Sequence, residues 1–299
     1  MVTMRKIRNI RYGMALLTGL VLGLTACTEE IDIDLKGGDA PVLVVDARLT
    51  TDSIRHTVRL SRSSDYYAPT SADLAVSGAT VYIIDSGHRY DFAEEPAEPG
   101  VYRSLEAFAG RMGVHYELFI QDVDADRDGQ TESYTAESTM PFANSIDSLQ
   151  AVYGPALPPA IVPDPERMGW NILFYAQDPP QKDYYLTTVS VNGVTLFPEL
   201  TEMTRMSDDF TQGLYISGLQ IYFFADDGEL PLAIGDSVCV EIWDVTHDFD
   251  EYVSDLQDAL NPSMPMFGGS PANARGNLSG GAFGFFATYT VSRAGIVLK

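Results

Sequence analysis

The sequence predicts a mainly β protein. Short runs of β-branched and aromatic residues, separated by Gly, Pro, Asp and Ser, recur along most of the chain, as is typical of antiparallel strands. Apolar and polar residues alternate clearly in Thr57–Ser61 and Tyr116–Ile120. One segment, at about 248–260, carries apolar residues at helical spacing. We therefore expect an antiparallel, immunoglobulin-like (Ig-like) sandwich followed by a second mainly β domain with one amphipathic helix.

Residues 1–26 have the features of a lipoprotein signal peptide. Four basic residues precede the apolar run Met14–Leu24, and the sequence Leu24-Thr25-Ala26-Cys27 follows. The apolar run is shorter than the ~20 residues that a membrane-spanning helix needs. We therefore predict cleavage between Ala26 and Cys27, lipidation of Cys27, and attachment of the mature chain to a bacterial envelope membrane by its lipid.

Residues 27–40 form the lipidated N-terminus and a linker, of which Thr28–Asp34 is rich in acids. Acids directly behind a lipidated cysteine resemble the export signal that sends lipoproteins of the Bacteroidetes group to the outer face of the outer membrane. A solvated linker is the simpler interpretation of the same residues.

Residues 41–142 are predicted to form the first domain. Seven strand-like runs within about a hundred residues suit a sandwich of two antiparallel sheets. The runs are Val42–Leu49, Thr57–Ser61, Thr80–Asp85, Tyr90–Phe92, Val101–Leu105, Tyr116–Asp122 and Ser133–Ser138.

Residues 143–299 are predicted to form the second domain, with a surface loop from Gly154 through Pro165. Asn192-Gly193 predicts a tight hairpin between two strands. The helix is expected to begin with Asp248 as its N-cap and to place an apolar stripe on the sheet of this domain. The further predicted strands are Trp170–Gln177, Tyr184–Val191, Val194–Phe197, Leu214–Ala225 and Asp236–Val245, and the stripe consists of Phe249, Tyr252, Val253, Leu256 and Leu260.

The composition limits the classes of partner. The net charge is −23, and it becomes −27 when the four basic residues of the leader are removed. Such a chain is repelled by nucleic-acid phosphates and by anionic headgroups, so we expect no nucleic-acid partner.

Cys239 is the one cysteine besides Cys27. A disulfide framework is therefore excluded once Cys27 is lipidated, and Cys239 is expected to be a small buried residue.

Motifs for catalysis are missing from the sequence. It contains no Gly-x-Ser-x-Gly, His-Glu-x-x-His, Cys-x-x-Cys or phosphate-binding glycine loop. The four histidines are scattered singly. Carboxylate pairs such as Asp208-Asp209 and Asp226-Asp227 could serve glycoside cleavage only if the fold placed two carboxyls ~5 to 10 Å apart across a cleft. Such pairs are also expected by chance in so acidic a chain. We predict that the protein has no catalytic residues and is not an enzyme.

One segment carries metal-binding chemistry. Asp124, Asp126 and Asp128 repeat the first half of an EF-hand loop, and Gly129 stands where that loop turns sharply. Together with Gln130 and Glu132 they are the candidate ligands for calcium. The twelfth position is Thr135 instead of Glu, and strands flank the segment, so an acidic hairpin tip with an Asp-Gly turn is the alternative.

Several segments in fixed order carry a family resemblance. They resemble an uncharacterised family of Bacteroidetes outer-membrane lipoproteins whose members are often encoded beside TonB-dependent receptors. The resemblance implies a first domain similar to transthyretin-like or carboxypeptidase-regulatory modules, and no catalytic residues. The segments are 27–30, 42–46, 58–63, 76–81, 100–102, 113–118, 145–149 and 276–286.

The resemblance implies an outer-membrane lipoprotein, facing the cell exterior, that acts as a non-enzymatic accessory or binding subunit of a TonB-dependent nutrient uptake system. Its partners would be the receptor and, through the lipid, the membrane. A calcium-stabilised adhesin or envelope structural protein is the alternative. A secreted hydrolase is the third class, and turnover abolished by a single carboxylate substitution would distinguish it.

Overall fold

Most of the described chain is extended. The computed structural model describes residues 40–64, 74–156, 167–208, 212–260 and 273–299. The strands are β1 Leu43–Thr50, β2 Thr57–Arg62, β3 Thr80–Asp85, β4 His88–Glu94, β5 Val101–Ser104, β6 His115–Val123, β7 Glu132–Thr139, β8 Ser148–Pro155, β9 Met168–Gln177, β10 Tyr184–Val191, β11 Val194–Thr195, β12 Thr204–Ser207, β13 Tyr215–Ala225, β14 Ser237–Val245 and β15 Phe283–Val297. Helix α1 spans His247–Leu260. The prediction of a mainly β fold with an amphipathic helix is confirmed.

The strands form two sheets. The large sheet has twelve strands in the order β11-β10-β14-β15-β1-β2-β5-β4-β3-β6-β7, with β12 paired to β10. The small sheet has the order β13-β9-β8. Neighbouring strands run antiparallel, except that β1 and β15 run parallel. This parallel pair joins the N-terminal and C-terminal parts of the described chain.

The large sheet curls around a hydrophobic core built from its N-terminal strands. On β1 the residues Leu43, Val45, Ala47 and Leu49 are fully buried, and they alternate with more accessible ones. Across the core, the hydroxyl of Ser138 in β7 and that of Thr288 in β15 are hydrogen-bonded at 2.8 Å. The sheet therefore bends far enough to bring β7 near β15, which gives the layered arrangement of a sandwich.

The remaining apolar residues gather into two further clusters. One lies between the small sheet and strands β10 and β14, with Ile172 and Phe174 packed in the same cluster as Val189 and Val240. The other joins helix α1 to the large sheet. The sheet runs without interruption through both predicted domains, 41–142 and 143–299, and Ala40–Lys299 form one compact unit. The boundary at residue 142 stays a prediction.

Helix α1 ends at Leu260 as predicted, but its N-cap and the extent of its buried stripe differ from the prediction. The side-chain oxygen of Thr246 accepts the N–H of Phe249 at 3.3 Å, and the Thr246 carbonyl accepts the N–H of Asp250. Thr246 is therefore the N-cap, and the predicted cap Asp248 lies inside the first turn, where its charge favours the helix dipole. At the other end Leu260 is 65% exposed, so the buried stripe ends before it.

The hairpin predicted at Asn192-Gly193 is present, but the loop predicted from Gly154 begins later than expected. Asn192 and Gly193 both have positive φ, 50° and 80°, which confirms the tight hairpin between β10 and β11. The predicted loop starting at Gly154 was wrong for its first two residues. Gly154 and Pro155 end β8, which lies at the edge of the small sheet, where a proline leaves no ladder donor missing. Residues 157–166 lie outside the described chain.

Candidate functional site

The predicted calcium ligands lie at the tip of the β6–β7 hairpin. Carboxylate oxygens of Asp124, Asp126 and Asp128 lie within 4.8 Å of one another. Oδ1 of Asp124 is buried, and no hydrogen bond within the described chain reaches it. Three converging carboxylates repel one another in the absence of a cation, and carboxylate oxygens are ligands that a hard divalent cation prefers.

The backbone of the loop holds these carboxylates together. The N–H of Gly129 donates to Oδ2 of Asp124 at 3.1 Å, and the N–H of Asp128 donates to Oδ1 of Asp126 at 3.1 Å. Gly129 has φ 89°, which glycine adopts at little cost. Arg62 on β2 anchors the start of the loop, because its guanidinium donates to the carbonyls of Asp124 and Ala125.

The other two predicted ligands are engaged differently. The side-chain amide and the backbone N–H of Gln130 both donate to Asp128, at 3.1 and 2.7 Å. Glu132 lies outside the converging group, and its Oε2 accepts the N–H of Ala125 and the hydroxyl of Tyr134, each at 3.5 Å. The structure therefore brings together three of the five predicted residues.

The histidines occupy separate places. His56 is buried, its Nε2 lies 2.8 Å from the carbonyl of Phe108, and burial lowers its pKa despite that contact. His88 packs edge-on against the ring of Tyr90. His247 joins Asp248 and Glu251 in a second converging group at the exposed start of α1.

Both carboxylates of the acidic pair Asp226-Asp227 accept hydrogen bonds from other side chains. Arg167 donates to Asp227 at 2.6 and 2.8 Å, and the hydroxyl of Tyr153 donates to Asp226 at 2.5 Å. Of the other predicted pair, Asp208 is buried and Asp209 lies outside the described chain. Among the described residues, neither pair places two carboxyls across a cleft from each other, as glycoside cleavage would require.

A buried group of acids between the two sheets was not predicted from the sequence. Asp244 accepts the N–H of Asn144 and the hydroxyl of Thr290, each at 3.1 Å. Burial and, to a smaller extent, the nearby Asp183 raise the pKa of Asp244 to about 7, although these hydrogen bonds lower it. Asp178 contacts the same network through Tyr185. Asp178 and Asp183 are close in sequence but far from Asp244, and the pairing of β10 with β14 brings Asp244 near them.

The remaining predicted site residues are the two cysteines and the cleavage site. Ala26 and Cys27 lie outside the described residues. Cys239 is a free thiol on β14 and is half-buried, so the prediction of a buried residue was only partly right. Its neighbours Val238 and Val240 point into the core instead. Within the described parts of the chain, no helix has both the length and the apolar character to cross a bilayer.

The fold and the hairpin site define a class of mainly β proteins with one curled large sheet, a small second sheet and an acidic loop. The family described as "Domain of unknown function (DUF4249)" matches residues 28–294. The chain therefore belongs to the DUF4249 family. A comparison with curated proteins found no match. The uncharacterised family expected from the sequence is confirmed at this level.

Proposed function

We propose that the protein is a lipid-anchored outer-membrane protein that serves as a non-enzymatic accessory or binding subunit of a TonB-dependent nutrient uptake system. The observation that carries the proposal is the junction at residue 27. A signal-peptide pattern ends at Ala26-Cys27, and the family match begins at Thr28, directly behind the cysteine. Anchor and family domain are therefore adjacent in the chain.

The acids after Cys27 support exposure at the cell exterior. Thr28–Asp34 contains four carboxylates, and the whole linker to Ala40 spans at most about 45 Å when extended. This length would hold a folded body clear of the headgroups. The strongly acidic composition supports a body that stays in solvent beside the membrane instead of lying on anionic lipid.

The described side chains support binding more than catalysis. The exposed acids with catalytic potential, Asp226 and Asp227, are held by Tyr153 and Arg167. A β-sandwich supplies rigid edges and loops on which a partner can dock, but the fold alone does not specify the partner. The TonB-dependent receptor is proposed from the family resemblance of the sequence.

Affinity purification tests the proposed partner. The tagged full-length chain would be extracted from its native envelope in mild detergent, and the co-purifying proteins identified by mass spectrometry. We expect a stoichiometric TonB-dependent receptor. An unrelated tagged lipoprotein of the same membrane serves as the control for detergent carry-over. Recovery of the chain alone, or of the same barrels with the control, would contradict a stable complex.

A calcium-stabilised adhesin or envelope structural protein is the second candidate. The convergence of Asp124, Asp126 and Asp128 favours it, because a bound cation would rigidify an exposed hairpin tip. This candidate predicts calcium-dependent attachment to host or glycan surfaces by cells that carry the protein, without a barrel partner. Attachment that is unchanged by a chelator would rule out the calcium-dependent form.

A further inference from the structure

A groove of about 570 Å³ lies on the face of the large sheet that is turned away from its core. Residues of β1 and β2 form its floor, and Pro198, Glu199 and Tyr289 also line it. This volume is within the range of about 300–1,000 Å³ that is usual for small-molecule sites. The groove is separate from the acidic hairpin tip and shares no residue with it.

Strand alternation explains the polar floor. Alternate residues of β1 are buried in the core, so Asp46 and Arg48 lie on the other face. On the neighbouring strand β15, this face is covered by α1, because Phe249 packs against Phe285 and Tyr289. The groove lies where the face continues past the helix onto β1 and β2.

Arg59 is left without a partner on this floor. Asp46 lies directly opposite it in the β1–β2 pair, but both carboxylate oxygens of Asp46 accept hydrogen bonds from Arg48, at 2.8 and 3.0 Å. Within the described chain, the guanidinium of Arg59 makes no ion pair and no hydrogen bond, although its backbone is paired in the sheet. Arg55, which also lines the groove, is occupied by the carbonyl of Ser104 and the carboxylate of Glu95.

Arg48 and Asp46 form an ion pair at 2.8 Å on strand β1. Burial lowers the pKa of Arg48, but Asp46, together with Tyr289 and Glu199, outweighs burial and raises that pKa above its usual value. Both carboxylate oxygens of Asp46 thus accept from Arg48, and neither accepts a hydrogen bond from Arg59. An unpaired guanidinium is unexpected in a chain with 42 acidic and 19 basic residues, where carboxylates are in excess.

We propose that this groove binds a small anionic ligand, and that the Arg59 guanidinium is its principal contact. The guanidinium fork matches a carboxylate, phosphate or sulfate group, and Thr57, opposite Arg48 on the same floor, adds a hydroxyl. The acidity of the whole chain repels anions, but this repulsion is screened beyond about 8 Å at physiological ionic strength. The affinity for the anion therefore depends on the side chains that line the groove. This proposal does not depend on the membrane anchor or on the receptor.

Calorimetric titration of the full-length chain in a non-ionic detergent tests the site. The separate probes are sodium succinate, sodium phosphate and sodium sulfate, each up to about 20 mM at constant ionic strength, which detects the millimolar affinity expected for a bare oxyanion. Binding of succinate alone assigns a carboxylate ligand. Binding of phosphate or sulfate alone assigns a tetrahedral oxyanion, and either result supports the proposal.

Three variants locate the binding. Arg59→Gln is expected to weaken it at least about tenfold, because a charge-assisted hydrogen bond is removed. Arg89→Gln removes the same charge from another exposed position of the sheet, where Arg89 pairs with Asp91, and is expected to leave binding unchanged. Glu199→Gln removes a negative charge from the groove and is expected to tighten binding about two- to threefold.

The proposal is overturned if none of the probes binds the unmodified chain. It is also overturned if Arg59→Gln and Arg89→Gln weaken binding equally, since the effect would then be one of net charge. Weaker binding by Glu199→Gln would contradict an anionic ligand. Because Arg59 and Glu199 are exposed, both variants are expected to keep the unfolding temperature of the unmodified chain.

Discussion

The N–H of Gly129 donates to the carboxylate of Asp124 at 3.1 Å, across the tip of the β6–β7 hairpin. This bond closes the loop on itself and leaves the second oxygen of Asp124 buried without a hydrogen-bond partner in the described chain. A cation bound by Asp124, Asp126 and Asp128 would interact with that oxygen and offset the repulsion among the three carboxylates.

We predict that calcium stabilises the folded protein through this loop. With millimolar affinity, about 10 mM calcium would raise the free energy of unfolding by about 1 kcal/mol. Asp126→Asn should abolish the increase, as measured by chemical denaturation with and without calcium. Asp91→Asn, on an exposed strand position, should retain it. An equal calcium effect in both variants would locate the ion elsewhere.

Asp244 makes the stability depend on pH. Its folded pKa, about 7, is above its ordinary value of 3.8, because it is buried. The folded state therefore binds the proton more tightly than the unfolded state does. The resulting stabilisation is complete below about pH 3.8, falls as the pH rises, and is lost above about pH 7.

We predict a difference between the unmodified chain and Asp244→Asn that changes with pH. Asparagine can keep contacts with Asn144 and Thr290 but does not titrate. Between pH 4 and 7, the free energy of unfolding of the unmodified chain should fall by up to about 4 kcal/mol relative to the variant. Denaturant curves at several pH values measure this fall. Parallel curves for the two proteins would show that Asp244 does not titrate in this interval.

Helix α1 packs against the large sheet through its first two turns, which contain its buried residues. Phe249 is 2% exposed and packs against the rings of Phe285 and Tyr289, whereas Leu260 at the other end is 65% exposed. Phe249→Ala should lower the free energy of unfolding by about 3–5 kcal/mol, because it leaves a cavity. Leu260→Ala, which shortens an exposed apolar side chain of the same helix, should change it by less than about 0.5 kcal/mol. Comparable losses in both would contradict this packing.

Local patterns were sufficient to predict most strands. Thr80–Asp85 and Tyr184–Val191 have the predicted bounds, because alternation and turn residues mark both ends. Strands β8 and β12 were missed. The first ends in Gly154-Pro155, which favours a loop, and the second has only four residues, so its pairing with β10 decides its structure.

Long-range pairing could not be predicted from one sequence. The parallel contact of β1 with β15 joins residues about 240 positions apart, and no local signal marks it. The loop ligands Asp124, Asp126 and Asp128 were predictable because they are close in sequence. The opposition of Asp46 and Arg59 depends on the register of β1 and β2, so the groove was not predictable.

The identity of the mature N-terminus tests the proposed envelope lipoprotein most directly. The full-length chain would be isolated from its native membranes and its N-terminal peptide analysed by mass spectrometry. We predict a peptide that begins at Cys27 and carries fatty-acyl groups, and a Cys27→Ser variant that keeps its leader and carries none. A mature chain that begins at another residue, or an unmodified Cys27, would contradict a lipid anchor and with it the proposed accessory role at the membrane.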